Sequence, residues 1–337
     1  MRSMRPTLDL FMPGLLGPVP LLPEASPATP ALDLLLARGR SLADGAPDLA
    51  AALLRRFGAD AAAPYALAAD DLTWDRTGFW MLAHPVHLRP DRDLLRLFDA
   101  RHLDISQAEA DALVAALNGH FAADGLHFHA PVASRWYLRC AQAPRLATTP
   151  LERAIGRHVD GLLPAGPDAR RWASLLNEAQ MLLFQSPVNR EREAQGRPAV
   201  NGLWIDGGGT WQAPGADGLP RTVLADLPLA RGLARAAGRA VEPLPAVWSP
   251  DGGDALVVWD ALQHAVLDAD DPAWCAAVEA LEQRVAAPAL AALRAGELAG
   301  IVIDACDGRR WQIERRDLRR FWRRLKPLAA RVAGQPA

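Results

Sequence analysis

After Gly209 the chain settles into a rhythm that few folds can satisfy. Arg221 to Ala225 reads as a strand, Leu227 to Ala237 as a helix capped by Asp226, Val241 to Leu244 as a strand, and Asp254 to Trp259 as a strongly apolar strand. Asp271-Pro272 opens a helix through Val285, and Pro288 begins another that stops at Gly296. Strands that are apolar throughout and separated by helices must be covered on both faces, which calls for a mostly parallel sheet. Ile301 to Ala305 and Trp311 to Glu314 then read as a hairpin around Asp307-Gly308, and Asp317 to about Val332 as a basic terminal helix.

The first part of the chain has the same texture: a buried strand over Leu8 to Leu16, then helices over Ala31 to Arg38 and Pro47 to Phe57, closed by Gly39 and Gly58. From about residue 80 the texture changes. Val86 to Phe98 reads as two strands around a polar turn, and Ser106-Gln-Ala-Glu109 is a capping box ahead of Leu113, Leu117 and Phe121. Leu126 to His129 and Arg135 to Cys140 are strands, Thr149-Pro-Leu-Glu152 is a second capping box, and Pro167 opens a helix carrying Trp172, Leu175, Leu176, Ala179 and Leu183. The layout expected is an α/β core built from 1–75 and 186–337, with an α+β module over 76–185 inserted into it.

At 337 residues, half of them hydrophobic, the chain has enough apolar surface for a sizeable core, and its net charge of -2 gives the whole molecule no reason to bind nucleic acid or a membrane. Three scattered cysteines, Cys140, Cys275 and Cys306, make neither a zinc spacing nor a disulfide framework, so a reducing cytoplasm is the expected compartment. Asp9 and the prolines at 6, 13, 18 and 20 break the apolar run of Met1 to Leu22, unlike a secretory leader.

One polar stretch lies between two buried elements: Ser186-Pro-Val-Asn189, then Arg192, Gly196-Arg-Pro198, Asn201, Trp204 and Asp206-Gly207-Gly208-Gly209. Written as Pro-Val-Asn-x-x-Arg-x-x-x-Gly-x-Pro-x-x-Asn-x-x-Trp-x-x-Gly-x-Gly, it resembles a signature of the archaeal-type, cofactor-independent phosphoglycerate mutases of the alkaline-phosphatase superfamily. Softer echoes follow in the family's order: Thr29-Pro-Ala-Leu-Asp33, Asp104 to Ala110, Phe128 with Arg135, Leu162 to Gly166, and Asp254 to Trp259. The chain looks most similar to a bacterial branch described as RpfE-type regulatory proteins. The resemblance implies an alkaline-phosphatase-like core with an inserted substrate-binding domain.

It also implies where a reaction centre belongs. Family catalysis uses two divalent metals held by Asp and His, and a Ser or Thr that carries the phosphoryl group. The expected positions fall here on Pro13 for the first metal carboxylate, Pro47 for the nucleophile, and Trp259, His264 and Asp268 for the late ligand cluster. Proline has no nucleophilic oxygen, so no catalytic residue and no cofactor are expected. His264 and Asp268, four apart, remain weak metal candidates, and Mn or Zn is expected only if an enzyme with altered ligands survives.

Ligand candidates are Arg135, Asn189, Arg192 and Asn201. The arginines can fork onto a phosphate or carboxylate; equally, Arg192 can brace its loop against an acid. A common cleft between core and insert is the expectation. Asp206 to Gly209 can turn backbone N–H groups toward an anion or form a plain turn. Paired histidines, His127 with His129 and His84 with His87, read as surface or hydrogen-bonded groups. The cluster from Arg315 to Arg331, with Phe321 and Trp322 inside it, can contact protein or nucleic acid or be a solvated helix face; no membrane contact is expected. Three functions stand at this level: a non-catalytic homologue with a binding or regulatory role, a metal-dependent mutase or phosphatase with altered ligands, and an interaction module working through the C-terminal segment.

Overall fold

The computed structural model describes residues 5–19, 27–91, 94–215 and 217–332; residues 1–4 and 20–22, part of the N-terminal run, lie outside them. The chain forms two compact units, 1–59 with 213–337 and 60–212. The first unit begins with β1 (Thr7–Phe11), α1 (Pro30–Arg38), β2 (Arg40–Leu42) and α2 (Leu49–Phe57). The second contains α3 (Ala63–Asp70), β3 (Phe79–Asp91), β4 (Leu94–Phe98), α4 (Gln107–Phe121), β5 (Leu126–Val132), β6 (Arg135–Cys140), α5 (Ala169–Gln185), α6 (Pro187–Ala194) and β7 (Gly202–Thr210). The chain then returns to the first unit with β8 (Thr222–Leu224), α7 (Pro228–Ala236), β9 (Ala240–Glu242), β10 (Ala255–Val258), α8 (Ala261–Leu267), α9 (Asp271–Leu281), α10 (Ala287–Ala295), β11 (Gly300–Asp304), β12 (Arg310–Glu314) and α11 (Leu328–Val332).

The first unit is the α/β fold the strand–helix rhythm called for. Its sheet runs β2-β12-β11-β1-β10-β8-β9. The five strands from β11 to β9 are parallel, and β12 and β2 add an antiparallel edge. All four residues of β10 are buried, as a central strand covered on both faces must be. Helix α1 shows how tightly the layers are tied. The first turn of any helix leaves N–H groups without partners; here Glu282, buried on a π-helical turn (Glu282–Ala286), accepts from Ala31 N at 2.6 Å and Leu32 N at 3.0 Å. Helix α2 is capped at both ends, by the Asp48 carboxylate on Ala51 N at 2.8 Å and by Gly58 in the left-handed conformation.

The second unit is an antiparallel sheet, β4-β3-β6-β5 with β7 paired to β3. Leu113, Leu117 and Phe121 of α4 and Trp172, Leu175, Ala179 and Leu183 of α5 join Phe128, Trp136, Leu138 and Ile205 in one core. The capping box at Ser106 and Glu109 forms with both reciprocal bonds. Strand β5 lies at the edge, where unpaired backbone groups invite another chain. Here α4 covers them: Asn118 accepts from Phe128 N at 2.6 Å and donates to Phe128 O at 2.9 Å, and Gln107 donates to Ala130 O at 2.8 Å.

Four features differ from the sequence reading. The boundaries fall at 59/60 and 212/213, not at 75/76 and 185/186, because β7 finds its ladder on β3 and α3 packs beside Trp80 and Tyr137. The first strand ends at Phe11, where Pro13 and Gly14 begin a turn. Thr149 to Glu152 leads into one short turn (Leu151–Arg153), since the Leu151 N–H is taken by Asp206. The basic terminal helix is an irregular loop between a short turn at Arg315–Arg319 and α11. Asp317 closes that turn on Glu314 N, and Pro327 cannot donate the N–H that a continuous helix needs.

A buried donor left without its acceptor costs about 1–3 kcal/mol. Glu282→Ala orphans two, so its unfolding free energy should fall by roughly 2–6 kcal/mol, read as a lower urea midpoint.

Candidate functional site

The ends of the parallel strands are where an open α/β sheet usually holds a ligand, and the expected reaction centre falls there. The strand ends are stitched together: Trp259 N donates to Phe11 O at 2.8 Å and Met12 N to Asp304 O at 2.9 Å. Pro13 is buried. Gly14 has a positive φ of 81°, and a Cβ there would stand 2.8 Å from the Leu262 backbone, so α8 closes directly over it. The Gly14 carbonyl is taken by the indole of the fully buried Trp274, at 2.9 Å. Trp259 is 3% exposed, lies under the Arg284 guanidinium at 5.0 Å, and its indole N–H finds no acceptor among the described residues.

At the nucleophile position Pro47 itself is exposed, and the backbone just before it is close-packed. Gly308 N donates to Ala46 O at 2.7 Å, and a Cβ on Gly45 would meet the Gly308 carbonyl carbon at 2.2 Å. The β11–β12 turn therefore lies against the segment that ends in Pro47 and Asp48. His264 and Asp268 are exposed on α8, and Asp268 N bonds to His264 O at 3.0 Å. Beside them, burial pushes Asp260 above the usual carboxylate range, His264 acts against the rise, and Asp226 adds to it.

Among the described residues no group of three or more His, Cys, Asp and Glu side chains stands together to hold a metal ion. A two-metal centre needs clustered carboxylates and imidazoles. A buried proline, a glycine carbonyl already bonded and an indole that donates but does not ligate do not fit it. Asp304, missed by the sequence reading, is a fully buried carboxylate at the end of β11. Burial raises its pKa, against the Cys306 N–H at 2.8 Å and the Arg310 and Arg55 guanidiniums at 3.8 and 3.5 Å. Its guanidinium partners make it a local anchor for the hairpin.

The four ligand candidates all lie in the 60–212 unit, and the structure gives them internal work. Arg192 is 0% exposed. Its Nε donates to Pro198 O at 2.9 Å, its Nη1 to Glu109 at 3.0 Å, and its Nη2 to Leu103 O. Asn189, 2% exposed, behaves as a strand partner: it donates to Leu183 O and Val200 O at 2.7 and 2.8 Å and accepts from Val200 N at 2.8 Å. Asn201 does the same for Leu88, accepting from its N at 2.7 Å and donating to its O at 2.9 Å. Arg135 forks onto Asp70 at 2.7 and 2.8 Å, with the Tyr137 hydroxyl on the same carboxylate at 2.7 Å. Among the described residues Arg135, Asn189 and Arg192 share no hydrogen-bond partner.

The glycine run is likewise neither an anion nest nor a turn. It continues β7, and a Cβ on Gly209 would come within 2.3 Å of the Ala61 side chain. The run lets α3 approach the sheet. Asp206, just before it, pairs with His84 at 3.4 Å and accepts from Leu151 N at 2.6 Å, joining a buried carboxylate to a half-buried imidazole that no spacing in the sequence announced. Burial favours the neutral ring; Asp206, with Glu152 and Asp99 behind it, outweighs burial and raises the His84 pKa. His129 bonds Asp71 at 3.0 Å. An open hollow of about 420 Å³ lies along Phe79, His127, Arg139 and Cys140, and burial pushes the Cys140 thiol up to about 12, which leaves it unreactive.

No family model matches the chain. It is 27% identical over 202 residues to the 2,3-bisphosphoglycerate-independent phosphoglycerate mutase of Methanosarcina mazei, an alignment covering 54% of this chain and 48% of that one. It is 29% identical over 164 residues to the probable enzyme of the same name from Geobacter sulfurreducens, covering 45% and 40%. The chain thus spans about half the length of the curated relatives it matches. Among solved structures, the cofactor-independent phosphoglycerate mutase of Thermoplasma acidophilum aligns with a TM-score of 0.44 at 16% identity, over 99% of this chain and 96% of that one. Homologues at this level of identity carry the name of cofactor-independent phosphoglycerate mutases, and the chain is related to them.

The Arg192–Glu109 pair yields a sharp expectation. Burial works against the Glu109 charge, but the Ser106 N–H and hydroxyl and the Arg192 guanidinium outweigh it and hold Glu109 at about 2. A carboxylate depressed on folding contributes stability that is complete above its unfolded pKa and is lost as pH falls toward the folded one. Urea midpoints of the wild type should therefore drop between roughly pH 4.5 and pH 2. Glu109→Ala should flatten that dependence and cost about 3–5 kcal/mol at pH 7, since it strands a buried guanidinium.

Proposed function

We propose that this protein is a non-catalytic relative of the cofactor-independent phosphoglycerate mutases, built on an alkaline-phosphatase-like core, with a binding or regulatory role of the RpfE type. One observation carries the reading. The places where the family's resemblance puts metals and nucleophile hold Pro13, Pro47 and Trp259; Pro13 and Trp259 are buried, with the Leu262 backbone packed over Gly14, and Pro47 is exposed. Loss of one ligand would leave room for a substitute. Loss of the donors together with the close packing over Gly14 supports a chain that has kept the body of the fold and relinquished the reaction.

The chemistry gives the same direction. Phosphoryl transfer through the protein needs an oxygen nucleophile and metals that neutralise the phosphate charge. Proline supplies no such oxygen, and arginines alone bind a phosphate without activating anything. The role is then exercised through surfaces, in a protein whose described residues include no helix long and apolar enough to cross a membrane.

Purified protein with 3-phosphoglycerate and added Mn²⁺, Mg²⁺, Co²⁺ or Zn²⁺ should yield no 2-phosphoglycerate in a coupled assay in which an active mutase is the control. Metal-dependent turnover that disappears in Asp268→Ala and His264→Ala would restore the enzyme reading.

A further inference from the structure

The terminal basic segment presents something other than a solvated helix. Between Arg315 and Lys326 there are seven cationic side chains and one acid, Asp317. Asp317 is already committed to Arg320 at 2.8 Å, and Glu314 to Arg316 at 3.0 Å. Arg319, Arg323, Arg324 and Lys326 are exposed and make no ion pair among the described residues. Among these cations stand Phe321, Trp322 and Leu325, at 82%, 66% and 56% exposure. Side chains of this size exposed together on one short loop are uncommon on a monomeric surface and mark a contact.

The loop is held in this posture. Arg38 donates to Arg323 O at 2.7 Å, Arg320 to Arg38 O at 3.0 Å, and Arg323 to Gly39 O, so three guanidiniums tie the loop backbone to the end of α1. Leu328 N then bonds the Asp33 carboxylate at 2.7 Å and returns the chain to the core. The apolar tips stay out because the backbone beneath them is fixed, and little ordering remains to be done on binding.

We propose that this loop is a peripheral anchor for an anionic lipid surface. Three observations favour lipid over nucleic acid. Leu325 offers nothing to a base, whereas an aliphatic side chain beside Trp and Phe suits the boundary between headgroups and acyl chains. The Phe321 and Trp322 rings meet at 80° with centroids 5.4 Å apart, an edge-to-face pair that presents no flat platform for successive bases. The cations interleave with the apolar residues along one exposed loop, the composition that anionic headgroups beside acyl chains favour. The net charge of -2 that argued against membranes for the whole chain says nothing against a local cluster of this density. Contact would be superficial and reversible.

The test is flotation of the full chain with vesicles of phosphatidylcholine alone and of phosphatidylcholine with an equal part of phosphatidylglycerol. Binding to the anionic vesicles should exceed that to the neutral ones by about tenfold or more at roughly 0.1 M salt and weaken as salt rises. Phe321→Ser with Trp322→Ser and Leu325→Ser should reduce it about tenfold, with the urea midpoint unchanged because these side chains are exposed. Arg319→Glu with Arg324→Glu and Lys326→Glu should remove the preference for anionic lipid. Wild-type protein that fails to float with anionic vesicles, or triple-serine protein that floats as well as wild type, overturns the proposal. So does a wild type that binds single-stranded oligonucleotides but not vesicles, or one that sediments as a dimer which the triple-serine variant abolishes.

Discussion

A guanidinium removed from water must be answered on its donors or it will not stay in a core. Arg192 is answered by Glu109 and by two carbonyls, those of Leu103 and Pro198, and much of the 60–212 unit is arranged around meeting that demand. Glu109 is in place because Ser106 caps α4, and the same carboxylate closes the capping box. Leu103 O and Pro198 O are in place because the turns before α4 and after α6 pass on either side of the guanidinium. One arginine thus fixes the entry of α4 against the α6–β7 connection. Asn189 and Asn201 extend the arrangement by acting as pieces of backbone for Val200 and Leu88. Together they set the register at which β7 enters the sheet, where a slip of one residue would turn Leu203 and Ile205 out of the core.

This explains what the most informative stretch of sequence was reporting. Two asparagines, an arginine and a Gly-x-Pro turn between buried elements look alike whether they grip a ligand or a neighbouring loop, because both tasks need forked donors and amide pairs. The spacing identified the relationship correctly and left the use open. The parallel sheet was legible because apolar runs such as Ala255–Val258 have few other solutions. The boundaries between the units were not, since β7 is assigned by its long-range ladder to β3, which local periodicity does not contain. The reaction centre was legible only by substitution, as prolines and a tryptophan where oxygens and nitrogens were expected. The packing of Leu262 over Gly14 and of the Gly308 turn against Gly45 depends on contacts between residues more than two hundred apart in the chain. The His84–Asp206 dyad had the same obstacle: strand pairing alone brings the two together.

Arginine usage ties these points together. The chain holds one lysine, Lys326, against 36 arginines, and such a count invites a search for anion sites. Many of the arginines with visible partners pair with carboxylates, and a number of them reach backbone oxygens. Arg284 bonds Pro245 O at 2.7 Å, Arg38 and Arg320 exchange bonds with carbonyls across from one another, and Arg55 reaches Asp44 O. A planar fork with five donors can satisfy carbonyls that irregular loops leave unpaired, which a lysine does less well. Loop-rich stretches around 44–48, 245 and 320–327 can therefore pack closely without regular secondary structure. The consequence for function is a subtraction. Once the guanidiniums committed to carbonyls and carboxylates are set aside, Arg323 on Gly39 O among them, the terminal loop still holds exposed Arg319, Arg324 and Lys326 beside its three most conspicuous apolar side chains. A contact surface in this unit is better sought there than at the strand ends around Pro13 and Trp259, which are buried.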